Sequence, residues 1–210
     1  MRIIIPLRNT GIVLVFLFSQ ALADSGYRPE SDLSAAFVER VSSAEIAVFP
    51  TIVRTPKRTS YSRASQQRVV ELLAEYSLGM GKTADIRFRM GGLRGTSQWE
   101  MFQSGMQKIG RQLRKYEGGA DYVIVLEVII FPSRARAMEV FGIHCFVLDP
   151  RGTNVFSFLL NSHHKVFVDA NLRTADMTAK GKEWLVIRST MVVLTALQEE
   201  HEKVHLRLVE

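Results

Sequence analysis

The chain has 210 residues, with 27 Lys and Arg against 21 Asp and Glu, a formal net charge of +6 and one cysteine. A lone cysteine excludes an intramolecular disulfide, and so mild a charge excess excludes the composition of a nucleic-acid-binding domain.

Arg2 and Arg8 flank the beginning of the chain, ahead of an apolar run from Gly11 to Phe18 and the small-residue sequence Ser19-Gln-Ala-Leu-Ala23. A basic start, a short apolar core and an Ala-x-Ala site follow the plan of a secretory signal peptide. The core is short for a bilayer interior of ~30 Å. Residues 1–23 are read as the signal peptide, Asp24 as the mature N-terminus and the periplasm as the destination. Cleavage leaves 25 basic and 21 acidic residues, a net charge of +4. No cysteine follows the cleavage site, so no lipid anchor is expected, and no later apolar stretch has the length of a membrane helix. The remainder suits one core: an N-terminal extension over 24–44, helical in pattern over 31–41, then a single α/β domain over 45–210.

Within that domain a first strand is expected over 45–54, with Pro50 near its end, followed by a polar, basic loop over 55–63. A helix over 64–76 carries Val69, Leu72, Leu73 and Tyr76 at the spacing of one buried stripe. Gly79 and Gly81 end it, and a short second strand is placed at 84–90. Ser97-Gln-Trp-Glu100 is a capping box. It opens a helix in which Trp99, Phe102, Met106, Ile109, Leu113 and Tyr116 recur by threes and fours. Gly118 and Gly119 release the next segment, Tyr122 to Phe131, which is apolar on both alternating faces apart from Glu127. A strand apolar on both faces is covered on both, so it belongs inside the sheet. Strands from Met138 to Asp149 and from Asn154 to Asn161 flank the turn Asp149-Pro-Arg-Gly-Thr153 as a hairpin, and 163–169 is read as its continuation. A last helix over 182–202 presents Trp184, Ile187, Met191 and Leu194 as its stripe. The fold class is therefore α/β (α+β): β-α-β-α-β, a hairpin and a long C-terminal helix, with a central mixed sheet covered by helices.

Three short sequences carry a resemblance: Ile46-Ala-Val-Phe-Pro50, Gly118-Gly-Ala-Asp-Tyr-Val123 and Val147-Leu-Asp-Pro-Arg-Gly-Thr153. With the element order, they resemble the bacterial envelope superfamily of the CsgG-like curli secretion proteins and the amino-terminal domain of TolB, over roughly residues 44–165. The resemblance implies that superfamily's fold, an envelope location and a protein-docking role. The curli-type proteins also have a lipid-anchor cysteine and pore-forming insertions. This chain has neither, so no channel is implied.

Several motifs bear on chemistry. His201-Glu-Lys-Val-His205 matches His-Glu-x-x-His, in which two histidines one helical turn apart hold zinc and the Glu polarises water. A zinc-dependent hydrolase using His201, Glu202 and His205 is the enzymatic alternative. It lacks a third ligand in sequence reach unless His163, His164 or Glu210 supplies one, and a polar helix end explains both histidines. Gly79-Met-Gly-Lys-Thr83 has the tail of a phosphate loop, but with a helix before it and a strand after, the reverse of what that loop needs. His163 and His164 face opposite ways on a strand. His144, beside Val140, Phe146 and Leu148, reads as a core histidine. Cys145, sharing its side with Phe141, Ile143 and Val147, reads as a buried thiol. Glu127 must be paired or protonated if buried; a partner such as Arg134 or Arg136 would make it structural. No Gly-x-Ser-x-Gly elbow is present. No cofactor and no catalytic residue is expected.

The basic residues point elsewhere. Arg54, Lys57, Arg58 and Arg63 follow the first expected strand, Arg87, Arg89 and Arg94 lie in or after the second, and Arg134 and Arg136 follow the third. Segments 54–63, 86–98 and 132–138 contain no Asp or Glu. Parallel strands bring such loops to one sheet edge, where ligands of open α/β sheets bind. The expected function is that of a non-enzymatic periplasmic protein in docking, assembly or export at the envelope. Its partners are envelope proteins, with these loops meeting anionic lipid headgroups, lipopolysaccharide or a small anionic ligand.

Overall fold

A computed structural model describes residues 31–91, 97–133, 137–161 and 165–209. The expected signal peptide lies outside these residues. The elements in order are α1 (Ser31–Arg40), a 3-10 turn (Val41–Ser43), β1 (Glu45–Val48), β2 (Thr51–Arg54), β3 (Thr59–Ser62), α2 (Arg63–Glu75), β4 (Met80–Thr83), α3 (Gln98–Leu113), β5 (Tyr122–Pro132), β6 (Met138–Leu148), β7 (Asn154–Asn161), α4 (Lys165–Ala170), β8 (Arg173–Thr174) and α5 (Ala179–Val209). The α/β class and the central mixed sheet stand as expected.

β5 is the axis. β6 runs antiparallel along one side of it, with β7 beyond. Along the other side lie β1 and then β2, both parallel to β5. β4 pairs with β1 in parallel and β3 with β2 antiparallel. The chain leaves β1 for β4 on the outer side and then returns across β1 to β5. Right-handed crossovers in opposite directions place their helices on opposite faces. Accordingly α2 packs with α1 and α5 against Ile124, Leu126 and Val128, while α3 covers Val123, Val125, Phe146 and Leu148. Burying Phe102, Ile109 and Leu113 of α3 contributes roughly 1.5–3 kcal/mol each. Both bonds of the capping box are made, between Ser97 and Glu100.

The first expected strand is in fact two. Pro50 has no N–H to donate, and the register slips there by one residue: Val48 pairs with Ile124, but Ile52 pairs with Glu127. A second bulge falls at Phe141, since Ile129 pairs with Gly142 and Ile130 with Val140. A bulge reverses which face the following residues take. Phe141 is consequently 40% exposed, not buried beside Cys145, and Val140 joins the α5 side of the core, away from His144.

Four other expectations are corrected. The loop over 55–63 contains β3, which closes a hairpin with β2. The second strand is Met80–Thr83, not 84–90; it starts directly after Gly79, whose φ is +99°. Segment 84–90 runs on without a strand partner, held where Gln66 Nε2 donates to the carbonyls of Val48 and Ala84 at 2.7 and 2.9 Å, and it tucks Phe88 and Met90 beneath α3. Residues 165–170 are helical and do not extend β7. On α5, Trp184 and Met191 are 43% and 42% exposed, and the buried stripe is Leu185, Val186, Ser189, Thr190, Val193, Leu194 and Leu197. The hydroxyls of Ser189 and Thr190 donate to the carbonyls of Leu185 and Val186, which lets two polar residues sit in an apolar seam.

Candidate functional site

Two features of the sheet's upper half bear on function. The first is internal. The slip at Pro50 turns Arg54 to the α3 side of the sheet, the side of Glu127. Arg54 Nη1 donates to Glu127 Oε1 at 2.8 Å, and His144 Nδ1 lies 2.6 Å from Oε2. Glu127 and His144 have no exposed surface, and Arg54 is 3% exposed. Burial pushes the Glu127 carboxyl up, but the His144 hydrogen bond and the His144 and Arg54 charges outweigh it and hold the carboxyl below its ordinary value. Among the described residues His144 Nε2 has no hydrogen-bond partner, and its ring meets Phe102 and Phe146 edge-on. α3 passes closely overhead at Gly105, where a Cβ would come within 3.0 Å of Phe146. Without solvent access the trio is a polar keystone of the core.

This overturns two expectations. Arg54 is not on the basic rim, and Glu127 takes its partners from β2 and β6; Arg134 and Arg136 lie outside the described residues. The position at which doubly wound sheets usually open a ligand crevice, between parallel neighbours whose crossovers lie on opposite faces, falls between β1 and β5. Here β2 fills it.

The second feature is a surface groove of about 490 Å³ at the same edge, lined by Thr55, Pro56, Lys57, Arg58, Ile130, Pro132, Met138, Met177 and Lys182. The β2–β3 turn holds its cations in place: Thr55 N and Oγ1 both donate to the Arg58 carbonyl, and Arg58 N donates back to Thr55 Oγ1. Pro56 sets the second position of the turn. Lys182 reaches in from the first turn of α5, donating to Ser60 Oγ at 3.0 Å. Burial, and then the Arg58 charge, hold its ammonium below the usual lysine value. Arg58 and Lys182 also line a neighbouring recess of about 360 Å³ that includes Arg63 and Glu183.

The structure thus brings together Lys57 and Arg58 from the expected set, with Arg63 alongside. Arg54, Arg87 and Arg89 do not line that groove. Arg63 is paired with Asp85 at 2.7 Å, and Arg87 stacks over Tyr61. The backbone N–H of Arg89 donates to Gln112 Oε1. Arg94, Arg134 and Arg136 lie outside the described residues. Sequence reasoning missed Lys182, which lies far along the chain; the absence of an acid from the first turn of α5 is the signal that marks it.

Of the zinc candidate, His201 and Glu202 lie on α5, where Glu202 accepts from Gln198. The side chain of His205, with His163, His164 and Glu210, falls outside the described residues. Among the described residues no three His, Cys, Asp or Glu side chains converge as a metal site, and no helix is long and apolar enough to cross a membrane. Cys145 is buried, and burial pushes its thiol pKa up. It should resist a thiol-modifying reagent in the native protein and react fully in denaturant; native labelling at the denatured rate would show that the strand is open.

No protein-family model matches the sequence, and no curated protein matches it. Two solved structures of PelC dodecamers from Paraburkholderia phytofirmans overlap it, with TM-scores of 0.35 and 0.36 and 12% identity in each case. The overlap covers 75% of this chain and 88% and 87% of theirs. Likeness at this level says nothing about what this chain does.

Proposed function

We propose that the protein is a non-enzymatic docking component of the cell envelope, exported to the periplasm, which engages an anionic partner at the sheet edge. The observation that carries this reading is the convergence of Lys57, Arg58 and Lys182 on one groove with no carboxylate in its lining. Clustered cations raise the local concentration of anions, with Glu183 lining only the neighbouring recess that Arg58 and Lys182 also reach. The basic start, short apolar core and Ala-x-Ala site support export. The sequences around Ile46, Gly118 and Val147 support kinship with CsgG-like and TolB-type envelope proteins, whose docking role the chain would share.

The purified protein should co-sediment with vesicles containing phosphatidylglycerol and not with purely zwitterionic vesicles. Raising salt from 50 to 500 mM should release most of it. The variant Lys57→Ser/Arg58→Ser/Lys182→Ser should lose about tenfold or more of that binding, as expected for removing three charges from one contact. Arg54 is left intact, because its loss would disturb the core. Undiminished binding by the triple variant, or none by the wild type, rules the reading out.

A further inference from the structure

The groove is not simply basic. Beside its cations the lining carries the exposed apolar side chains of Met177 and Pro132, with the buried Ile130 and Met138 beneath them. Met177 is 50% exposed, a flexible apolar side chain set beside a cluster of charge. A bare phosphate or sulfate needs donors around it and gains nothing from such a surface. A volume of about 490 Å³ falls in the range of small-molecule sites and exceeds what a single inorganic anion fills.

Resting on the docking reading above, we propose that the groove binds one phosphate-headed amphiphile. Lys57, Arg58 and Lys182 grip the head, and the first methylenes of the tail lie on Met177 and Pro132, with Ile130 and Met138 beneath.

Three further observations agree. Burial first, and then the Arg58 charge, depresses the Lys182 ammonium, and a phosphate bound between the two cations would relieve the second. The first turn of α5 holds Lys180 and Lys182 and no acid, although acids are favoured at a helix N-terminus. The nearest acid is Asp176 just ahead of the helix, whose carboxylate accepts from the Thr178 N–H and faces Lys180, so it offsets Lys180 and leaves Lys182 to the groove. Finally, the clamp between Thr55 and Arg58 fixes the turn backbone before any ligand arrives, which leaves only side chains to be ordered on binding.

The test is calorimetric titration of the purified protein with short-chain lysophosphatidylglycerol below its micellar concentration, beside inorganic phosphate and the zwitterionic lysophosphatidylcholine. Saturable one-to-one binding of lysophosphatidylglycerol is expected, at least tenfold tighter than either control. Lys57→Ser/Lys182→Ser should weaken it by about tenfold or more, the scale of losing charge-assisted hydrogen bonds. Met177→Ser should weaken it roughly threefold or more, from lost apolar contact, and leave the weak phosphate binding unchanged. Phosphate binding as tight as lysophosphatidylglycerol would overturn the proposal by showing that only the head is recognised. Equal affinity for lysophosphatidylcholine would overturn it by showing that charge does not select. If no lysolipid binds while anionic vesicles still co-sediment through the same cations, the amphiphile site is wrong and the docking reading survives; if both fail, both are wrong.

Discussion

Glu127→Ala should destabilise the protein by about 3–5 kcal/mol, because it takes the carboxylate away from a buried guanidinium and a buried imidazole. For a domain of this size that is a fall in Tm of roughly 10 °C. The loss exceeds that of an ordinary buried side chain because the partners remain. Arg54 Nη1 and His144 Nδ1 both bond to this one carboxylate, and both side chains are buried. Glu127→Gln keeps the volume and one acceptor, so it should cost less. Replacing all three together, as Arg54→Met/Glu127→Leu/His144→Leu, should recover most of the deficit, since no charge then lies buried. Denaturant unfolding of the single, double and triple variants measures the coupling. A cost below about 1 kcal/mol for Glu127→Ala would mean that the trio is hydrated and the register at Pro50 misplaced.

The pH dependence of this trio has a definite sign. The folded Glu127 carboxyl lies below its ordinary value, which is about 4.3 for a free glutamate. The stability from its pairing is therefore complete above that value and is lost as pH falls through the folded pKa. The wild type should lose stability more steeply than Glu127→Gln on the acid side.

The second large effect is expected at the contact between α3 and the β6–β7 hairpin. Gly152 has φ +85°, and a Cβ there would sit 2.3 Å from the Gly110 carbonyl oxygen. Backbone meets backbone, so no side chain can swing aside. Gly152→Ala combines a left-handed conformation, about 1–2 kcal/mol, with a forced separation of two elements, about 1–3 kcal/mol. A total of about 2–5 kcal/mol is expected by denaturant unfolding. Two companion variants separate the causes. Gly91 has φ +70° and no described residue within 4 Å of its Cβ position, so Gly91→Ala should cost only about 1 kcal/mol. Gly110→Ala brings a Cβ within 2.7 Å of the Gly152 oxygen and should show the steric part alone. If Gly152→Ala costs no more than Gly91→Ala, the helix and the turn are not in contact.

What can be read locally came through. The interior position of Tyr122–Pro132 follows from apolar residues on both alternating faces. The start of α3 follows from a four-residue capping pattern, and the β6–β7 hairpin from its turn residues. α2 follows from a single stripe that the structure buries at Val69, Leu72 and Leu73. Each of these depends on neighbours within one or two turns of chain, so composition and spacing suffice.

Where the reading failed, the deciding neighbour was distant. α5 has apolar residues on two adjacent faces, and hydropathy favoured Trp184 and Met191 over a seam that includes Ser189 and Thr190. Those hydroxyls become acceptable inside only because they bond one turn back, and Thr190 also meets Ser65 of α2 at 2.6 Å. Strand β4 is a strand because β1 offers it a parallel partner, not because Met80-Gly-Lys-Thr83 alternates.

The amino-acid sequence by itself determined the α/β class, the central strand and the buried thiol, because burial periodicity is a property of each segment alone. Only the tertiary structure decided which charges are hidden and which are displayed. One extra residue at Pro50 sends Arg54 inward to Glu127, and helix packing brings Lys182 to Lys57 and Arg58, because a one-residue slip reverses the face of a strand and a groove is assembled from segments that the chain holds far apart.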